Sequence, residues 1–395
     1  MTGPMDGVRV VDCSIALTGP YAAALLADQG ADVVKVERPG IGDIARWVGV
    51  MVNGMSSLYL VCNRGKRGIA VDLHHDDGVD IIRRLAADSD VFIENFRPGV
   101  MEKLGLGYEA LAAVNPNLVY VSLSGFGSVG PYRDRSVYDT VMQAYGGFAA
   151  NQADPHDGVP VFLRQTAADK VTALYAAQAI SAALFARERG AGGQHIELSM
   201  MDSVVSFLWA DSAANEVLLE ADGSMNSSFV AGFQPMRFSD GWGIVTPTSD
   251  HDFAGMCKAL DVGGFDDPRV ATIAQRVQHR ELVSELVDMC YAHAVEFTMA
   301  EVSARFDAER VPYSMILSPA EIVDDEHAQA VGLFEVHPHH VVGSARMPRH
   351  PAQFTETPAM LRLASPALGE HTDEILIELG LADRIATLRD SGTVA

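Results

Sequence analysis

Short runs of β-branched and apolar residues alternate with longer helical patterns along the first 125 residues of the chain. The strand patterns fall at residues 8–13, 32–37, 69–73, 91–94 and 118–123, and another falls at 194–199. Helical patterns lie at residues 21–29, 78–87 and 108–114. Strands joined by single crossover helices lie parallel in one sheet. The pattern therefore predicts the α/β class, with an open, doubly wound, Rossmann-like sheet that binds ligands beyond the carboxyl ends of its strands.

The pattern changes after a long predicted helix that runs from residue 201 to about residue 220. A polar stretch at 221–228 is followed by a predicted hairpin at 236–245, which turns on Asp240-Gly241. Further helices are predicted at 253–260, 280–294, 299–309 and 373–381, and further strands at 334–342 and 359–363. We therefore predict a large α/β domain over 1–205, a linker helix and linker over 206–224, a smaller α+β domain over 225–325, and a return to the large domain over 326–395.

Composition narrows the classes of partner. With 395 residues the chain is long enough for two domains, and its net charge of −23 would repel the phosphates of a nucleic acid. The start of the chain lacks a signal peptide, and no apolar run approaches the ~20 residues of a membrane span, so we expect a cytoplasmic protein with no membrane contact. The cysteines, Cys13, Cys62, Cys257 and Cys290, lack metal-ligand spacing and are predicted to be buried, reduced thiols.

One carboxylate stands at the start of a long, alanine-rich helical pattern. Residues 164–170 lead into the helix and deliver Asp169 to its first turn. Backbone N–H groups and the helix dipole favour an ionised carboxylate there, as a carboxylate nucleophile requires. The alternative is a plain capping role, since Asp is a common residue at helix starts.

Cations cluster at the turns of the α/β pattern, which suggests a polyanionic ligand such as a phosphorylated nucleotide; they are Arg38, Arg64, Lys66, Arg67, Arg97 and Lys103. Ordinary surface loops also carry Lys and Arg, so a purely solvated role is equally compatible with the sequence. A GxGxxG pattern at residues 125–130 has no helix after it and predicts a glycine-rich loop near a site, not an NAD fingerprint. The histidines around Pro338 predict an exposed turn and not a metal site.

Together these motifs, in this order, resemble the class III coenzyme A transferases, which include formyl-CoA and carnitine CoA-transferases and share a superfamily with 2-methylacyl-CoA racemase. The resemblance extends over nearly the whole chain. It is carried by Gly19-Pro20, residues 30–39 with Gly42-Asp43, and residues 63–67, 94–99, 124–127 with Gly130-Pro131, 193–194 and 368–376.

This resemblance implies that Asp169 is the catalytic nucleophile of a CoA-transferase, which attacks an acyl-CoA thioester and forms an anhydride. CoA and acyl-CoA are then substrates, together with a small carboxylic acid, and no cofactor is tightly bound. The expected assembly is an interlocked homodimer of ring-shaped chains, with CoA binding and catalysis in the large domain. The residues implied to contact CoA or the thioester are Ala16, Leu17, Arg38, Leu73, Asn95, Phe96, Arg97, Lys103, Tyr138 and Asp139.

Three departures from the family pattern bear on the reaction and its substrate. The racemase branch has a His as one of two bases where this chain has Tyr138, and a phenol, with a reference pKa near ~10, is a poor base at neutral pH. Formyl-CoA transferases have a Gln where this chain has Leu17, which indicates a more apolar acyl group here. The resemblance also implies a glycine-rich lid in the small domain, and no such motif is evident around residues 246–250. CoA transfer is favoured, and racemisation or acyl-CoA binding without catalysis are the alternatives.

Overall fold

The computed structural model describes residues 3–154, 157–220, 223, 228, 230 and 232–395. The chain divides into two compact units, one formed by Met1–Ser212 with Gly332–Ala395 and the other by Ala213–Val331. Of the predicted polar linker at 221–228, all but Gly223 and Ser228 lie outside the described residues. No helix in the described ranges has both the length and the hydropathy needed to cross a membrane.

The first unit is built on a parallel β-sheet. Its strands before residue 200 are β1 (Arg9–Asp12), β2 (Asp32–Glu37), β3 (Met51–Val52), β4 (Met55–Ser56), β5 (Lys66–Ala70), β6 (Val91–Glu94), β7 (Val119–Ser124) and β8 (Gln194–Ser199). The short strands β3 and β4 pair only with each other, and the sheet has the order β5-β2-β1-β6-β7-β8 with every neighbouring pair parallel. The strand order reverses between β1 and β6, so the carboxyl ends of these two strands form the switch point where such sheets bind ligands. The predicted doubly wound sheet is confirmed.

Helices cover both faces of this sheet. They are α1 (Thr18–Asp28), α2 (Ser57–Cys62), α3 (Asp76–Ala87), α4 (Val100–Lys103), α5 (Tyr108–Val114), α6 (Asp139–Tyr145), α7 (Phe148–Asn151), α8 (Ala167–Glu188) and α9 (Met200–Trp209). On one face α1 packs against α8 through alanines such as Ala22, Ala23, Ala173 and Ala176, all fully buried. Small side chains at the contact allow helix axes to approach closely. This packing aligns the N-terminal turns of α1 and α8, and Asp169 lies in the latter.

The second unit combines a small antiparallel sheet with helices. Its elements are β9 (Met236–Arg237), β10 (Trp242–Val245), β11 (Tyr313–Met315), α10 (Ala214–Val217), α11 (Asp250–Ala259), α12 (Ile273–Gln278), α13 (Arg280–Ala294), α14 (Met299–Glu309), α15 (Pro319–Asp324) and α16 (Glu326–Ala330). Arg237 pairs with Trp242 across the predicted hairpin, and Phe238 N donates to Gly241 O at 2.9 Å to close its turn. The predicted hairpin and the helices corresponding to α11, α13 and α14 are confirmed.

The chain then returns to the first unit. The returning elements are β12 (Phe334–His339), β13 (Gly343–Pro348), α17 (Thr372–Glu378) and α18 (Ile385–Asp390). His371 N donates to Gly68 O at 2.9 Å, which ties the start of α17 to β5. Ile375 and Leu376 of α17 are fully buried in the same core as Phe92 of the sheet. The last residues of the chain are therefore part of the core that supports the parallel sheet.

Several local predictions were wrong for identifiable reasons. The helix predicted from 201 to about 220 ends at Trp209, and the polar pair Asp211-Ser212, whose residue types have low helix propensity, follows its end. No strand forms at 359–363, since Met360 N donates to Asp28 O and the segment is held as a loop against α1. The predicted exposed turn at the histidines is instead the end of β12, with His339 buried and within 3.0 Å of Ser365 Oγ.

Candidate active site

Asp169 is the third residue of α8 and its carboxylate is held by the start of α1. Thr18 Oγ1 donates a hydrogen bond to Asp169 Oδ1 at 2.5 Å. Thr18 is the first residue of α1, and the alanine-rich contact between α1 and α8 brings the two first turns together. The hydroxyl therefore orients the carboxylate, whose other oxygen, Oδ2, has no hydrogen-bond partner among the described residues.

A second carboxylate holds the main chain of Asp169. Asp169 N donates to Asp139 Oδ1 at 3.1 Å, and Gln143 Nε2 donates to Asp139 Oδ2 at 2.6 Å. Gln143 also accepts from Leu163 N at 2.9 Å and donates to Gln165 O at 2.9 Å, so it fixes the segment that enters α8. Asp139 is buried behind Asp169 and does not line the cavity described below, although it was predicted as part of a wall of the site.

Burial, and not the helix terminus, dominates the electrostatics of Asp169. Burial raises the pKa of Asp169 to about 6, the hydrogen bond from Thr18 opposes this rise, and the nearby Asp139 carboxylate adds to it. The net shift of the pKa of Asp169 is therefore upward, and burial is its largest cause. A carboxyl with this pKa is still ionised in about nine molecules of ten at pH 7, so the charged form predominates although it is poorly solvated.

The loop after β1 forms the floor of the site in a strained conformation. Ala16 has a φ of 65°, a left-handed value that costs about 1 kcal/mol or more in a residue with a Cβ. Ala16 N donates to Asp43 Oδ1 at 2.8 Å. Asn95, from the loop after β6, accepts from Ile15 N and donates to Ile15 O, both at 2.8 Å. These bonds join the two loops of the switch point and hold the strained residue in place.

Buried ion pairs hold the loop after β1 in place. Lys35 Nζ donates to Asp43 Oδ2 at 2.8 Å and also to the carbonyl oxygen of Ser14. Lys66 Nζ donates to Asp12 Oδ2 at 2.7 Å, and all four charged side chains are fully buried. Each charge has its partner, as buried charges require.

Three of the predicted ligand-binding cations are engaged elsewhere. Lys66 belongs to the buried pair just described, Arg64 pairs with Asp28 at 2.6 Å, and Arg67 bridges Asp32, Glu374 and Glu378. In a strongly acidic chain these cations neutralise neighbouring carboxylates. The interpretation that they bind a polyanion is therefore wrong, while Arg38, Arg97 and Lys103 do line cavities.

A first cavity opens above Asp169 at the switch point. The predicted site residues that line it are Ala16, Leu17, Asn95, Phe96, Arg97, Tyr138 and Asp169. The same cavity is lined by Thr18, Arg133 and Arg135, which the sequence reasoning did not single out. Thr18 lies directly before the Gly19-Pro20 motif, and that position could have indicated it. Arg133 and Arg135 follow the glycine-rich loop at 125–130, and their sequence pattern does not distinguish them from ordinary loop cations.

A second cavity adjoins the first. The predicted residues that line it are Arg38, Leu73, Phe96 and Lys103, and Ile15, Ile44 and Phe96 line both cavities. The rest of the second lining is largely apolar and includes Trp47. A long ligand with an anionic part near Arg38 and Lys103 can thus reach Asp169 past Phe96.

Comparison with known proteins places this geometry in a family. Residues 5–372 match the family model described as CoA-transferase family III. The chain is 34% identical to the succinate–glutarate CoA-transferase of Agrobacterium fabrum, over 97% of this chain and 98% of that protein. It is 33% identical to the human succinyl-CoA:glutarate CoA-transferase, over 99% and 90%. A solved CAIB/BAIF family protein from Brucella suis is 33% identical with a TM-score of 0.81, covering 96% and 100% of the two chains. The chain belongs to CoA-transferase family III.

Proposed function

We propose that the protein moves CoA between an acyl-CoA and a carboxylic acid through covalent intermediates on Asp169. The observation that carries this proposal is the Thr18–Asp169 arrangement, in which one carboxylate oxygen is fixed by a hydroxyl and the group faces the first cavity. A carboxylate nucleophile divides the exchange of a thioester for a carboxylate into steps with lower barriers. The exchange is nearly balanced in energy and needs no external energy source.

The proposed reaction is balanced in bonds and charges. A carboxylate oxygen of Asp169 attacks the thioester carbon, the C–S bond breaks, and CoA thiolate leaves behind an aspartyl anhydride. The thiolate attacks the aspartyl carbonyl, the anhydride C–O bond breaks, and the donor acid departs as a carboxylate. The acceptor carboxylate then attacks the aspartyl-CoA thioester, and the released thiolate attacks the acceptor carbonyl of the new anhydride. Asp169 is regenerated as a carboxylate with no net proton transfer.

We propose that CoA lies across both cavities. Arg38 and Lys103 supply positive charge for the phosphates in the second cavity, and its apolar lining suits the adenine ring. The pantetheine arm would pass Phe96 and present the thioester to Asp169 over the loop formed by Ala16 and Leu17. Leu17 is buried and offers the acyl group an apolar surface.

We also propose that the working form is a homodimer. Large apolar side chains on α8 and α9 are solvent-exposed in the single chain, with Leu174, Phe185 and Phe207 each more than half exposed. Exposed apolar area of this kind marks surfaces that become covered in an assembly. Light scattering after size-exclusion chromatography tests the proposal, and a monomer at micromolar concentration would contradict it.

An oxygen-18 experiment tests the covalent route. In the proposed sequence the acceptor acid leaves one of its oxygens in the Asp169 carboxylate at the end of each turnover. Turnover with an ¹⁸O-labelled acceptor should therefore place label in the peptide that contains Asp169, and the peptide that contains Asp139 serves as an internal control. Direct attack of the acceptor on the acyl-CoA would leave both peptides unlabelled, and full activity in Asp169→Ala would also overturn the proposal.

A further inference from the structure

Lys66 is a fully buried lysine that no step of the proposed reaction uses. It begins β5, and its ammonium group has three N–H donors and three acceptors. Lys66 Nζ donates to Asp12 Oδ2 at 2.7 Å, to Pro20 O at 2.8 Å and to Asn63 Oδ1 at 3.0 Å. Asp12 ends β1, Pro20 lies in the first turn of α1, and Asn63 follows α2. One ammonium group therefore joins four elements of the first unit.

The bond to Pro20 bears on the nucleophile because it holds the helical turn that contains Thr18. Helix α1 begins at Thr18, and Pro20 is its third residue. Thr18 Oγ1 donates to Asp169 Oδ1 at 2.5 Å, so a displacement of this turn would move the hydroxyl away from the carboxylate that it orients. Lys66 lines neither cavity and can therefore act on the reaction only through its neighbours.

The same turn is packed closely against the loop after β1. Ser14 N donates to Asp12 Oδ1 at 3.0 Å, and the Ser14 hydroxyl donates to the same oxygen. A Cβ on Gly19 would lie 2.2 Å from Ser14 Oγ, so the approach of the two segments requires a glycine there. Asp12 thus accepts from Ser14 with one oxygen and from Lys66 with the other. The first turn of α1 is therefore held between two partners of one buried carboxylate.

The charge of Lys66 balances a buried cluster of two carboxylates and two ammonium groups, which are Asp12, Asp43, Lys35 and Lys66. Lys35 Nζ lies 2.8 Å from Asp43 Oδ2 and 4.0 Å from Asp12 Oδ2. The titratable groups that face Lys66 are Asp12 from β1, Lys35 from β2 and the Cys62 thiol from α2. Burial raises the pKa of Cys62 to about 11, so this thiol stays neutral where Lys66 titrates.

Lys66 is the ammonium group of this cluster that can lose its proton in mildly alkaline solution. Burial lowers the pKa of Lys66 to about 8 against the opposing effect of Asp12, and the charge of Lys35 adds to the lowering. The pKa of Lys35 is instead raised, because three neighbouring carboxylates outweigh its burial. A neutral Lys66 has two N–H groups for three acceptors and leaves the cluster with one excess negative charge. As the pH rises through about 8, Lys66 therefore loses at least one of its bonds.

We propose that Lys66 is a positioning residue for Asp169, whose ammonium group holds the first turn of α1 so that Thr18 orients the nucleophile, and that it does so only while protonated. The inference rests on the proposed function, because it assumes that Asp169 reacts with the acyl group. The proposed reaction has no net proton transfer and contains no group that must be protonated for catalysis. A decline of kcat in alkaline solution is therefore the expected signature of Lys66.

The wild type provides the first test. With the acyl-CoA and acid of the oxygen-18 experiment at saturation, kcat should halve near pH 8 and be about tenfold lower at pH 9, where about one Lys66 in ten keeps its proton. NMR of the five lysines, labelled with ¹³C at Cε, should show a resonance that titrates near pH 8 and is absent in Lys66→Arg. Circular dichroism should stay unchanged from pH 7 to 9. A level kcat over this range, or no lysine that titrates below pH 9, would overturn the inference.

Variants separate positioning from a purely structural role. Lys66→Arg keeps its charge throughout this range, so its kcat, although lower, should stay level to pH 9.5. Lys66→Met imitates the neutral form, and its kcat should be at least about tenfold below that of the wild type at pH 7, with no alkaline decline. Its acid limb should move to higher pH, as in Thr18→Val, and the double variant should show no further shift, because both substitutions remove the same bond to Asp169. Additive shifts would contradict the inference.

The controls allow for loss of fold. Lys258→Met removes a half-exposed lysine of the second unit and should behave as the wild type. If the Lys66 variants do not fold, the alkaline decline of the wild type should still be largely absent in Thr18→Val, since Lys66 acts through Thr18. Its persistence in Thr18→Val would overturn the inference. Failure of the proposed function would differ, since exchange would then proceed without ¹⁸O entering Asp169.

Discussion

Thr18 and Asp169 are 151 residues apart in the chain, and the Thr18 hydroxyl donates to the Asp169 carboxylate at 2.5 Å. The bond joins the first turns of the two alanine-rich helices that cover one face of the sheet. The hydrogen bond favours the charged carboxylate and burial disfavours it. Together they set the pH range in which Asp169, the proposed nucleophile, is ionised.

Thr18→Val should therefore move the acid limb of the pH–rate profile. The protonated carboxyl is not a nucleophile, so activity is lost as the pH falls through the pKa of Asp169, which burial raises to about 6. Without the hydroxyl donor that pKa rises further, by roughly one unit for a charged hydrogen bond of ~1.5 kcal/mol. The measurement is kcat/KM of the acyl-CoA between pH 5 and 8, with Thr18→Ser as the matched control. An unchanged acid limb in Thr18→Val would contradict this account.

Asp169→Asn should stabilise the fold at neutral pH. Burial raises the pKa of Asp169 from 3.8 to about 6, so the charged form costs folding free energy as the pH rises through this window. Removing the charge should raise the free energy of unfolding at pH 7 by about 3 kcal/mol, at ~1.4 kcal/mol per pKa unit, and most of the difference should be lost by pH 4. Urea unfolding at both pH values checks this, with circular dichroism as the signal. A less stable variant at pH 7 would show that the charge is better solvated than the geometry indicates.

The sequence alone predicted the parallel sheet and the place of Asp169 in the first turn of a helix, because strand and helix periodicity are local properties of the chain. It could not reveal which distant side chains meet. Arg64 was predicted to bind a ligand but pairs with Asp28, which lies 36 residues earlier. Asp139 was predicted as a wall of the site but faces the backbone of Asp169, and that orientation depends on Gln143 and the fold around it. Pairing of charges across long sequence separations requires the tertiary packing.

Asn95→Ala should reduce activity by about tenfold to a hundredfold while the protein stays folded. Asn95 makes two hydrogen bonds to the main chain of Ile15, next to the strained Ala16, and their loss frees the floor of the site. Asn115 is a matched control, since its Nδ2 also donates twice to main-chain oxygens, those of Ala86 and Ser89, but away from the cavities.

Both asparagine variants should lose a similar free energy of unfolding, about 1–3 kcal/mol, because each leaves main-chain groups without a partner. Only Asn95→Ala should lose turnover. Chemical denaturation and steady-state kinetics on the two purified variants separate the effects. Equal turnover in the two variants would mean that the conformation of the β1 loop does not limit the reaction.

Tyr138→Phe should keep CoA transfer within about fivefold of the wild type. The Tyr138 side chain is 68% exposed and lines the first cavity, and its hydroxyl has no hydrogen-bond partner among the described residues. In a transferase the ring acts as a wall, and no step of the proposed sequence needs a proton from the phenol. In a racemase a second base is required at this position, so the same substitution would abolish exchange of the Cα proton.

The test is incubation of the wild type and Tyr138→Phe with 2-methylacyl-CoA in D₂O, alongside the transfer assay, with Asp169→Asn as the inactive reference. Deuterium uptake in the wild type that disappears in Tyr138→Phe would favour racemisation, whereas transfer without deuterium uptake in both proteins is the expected result.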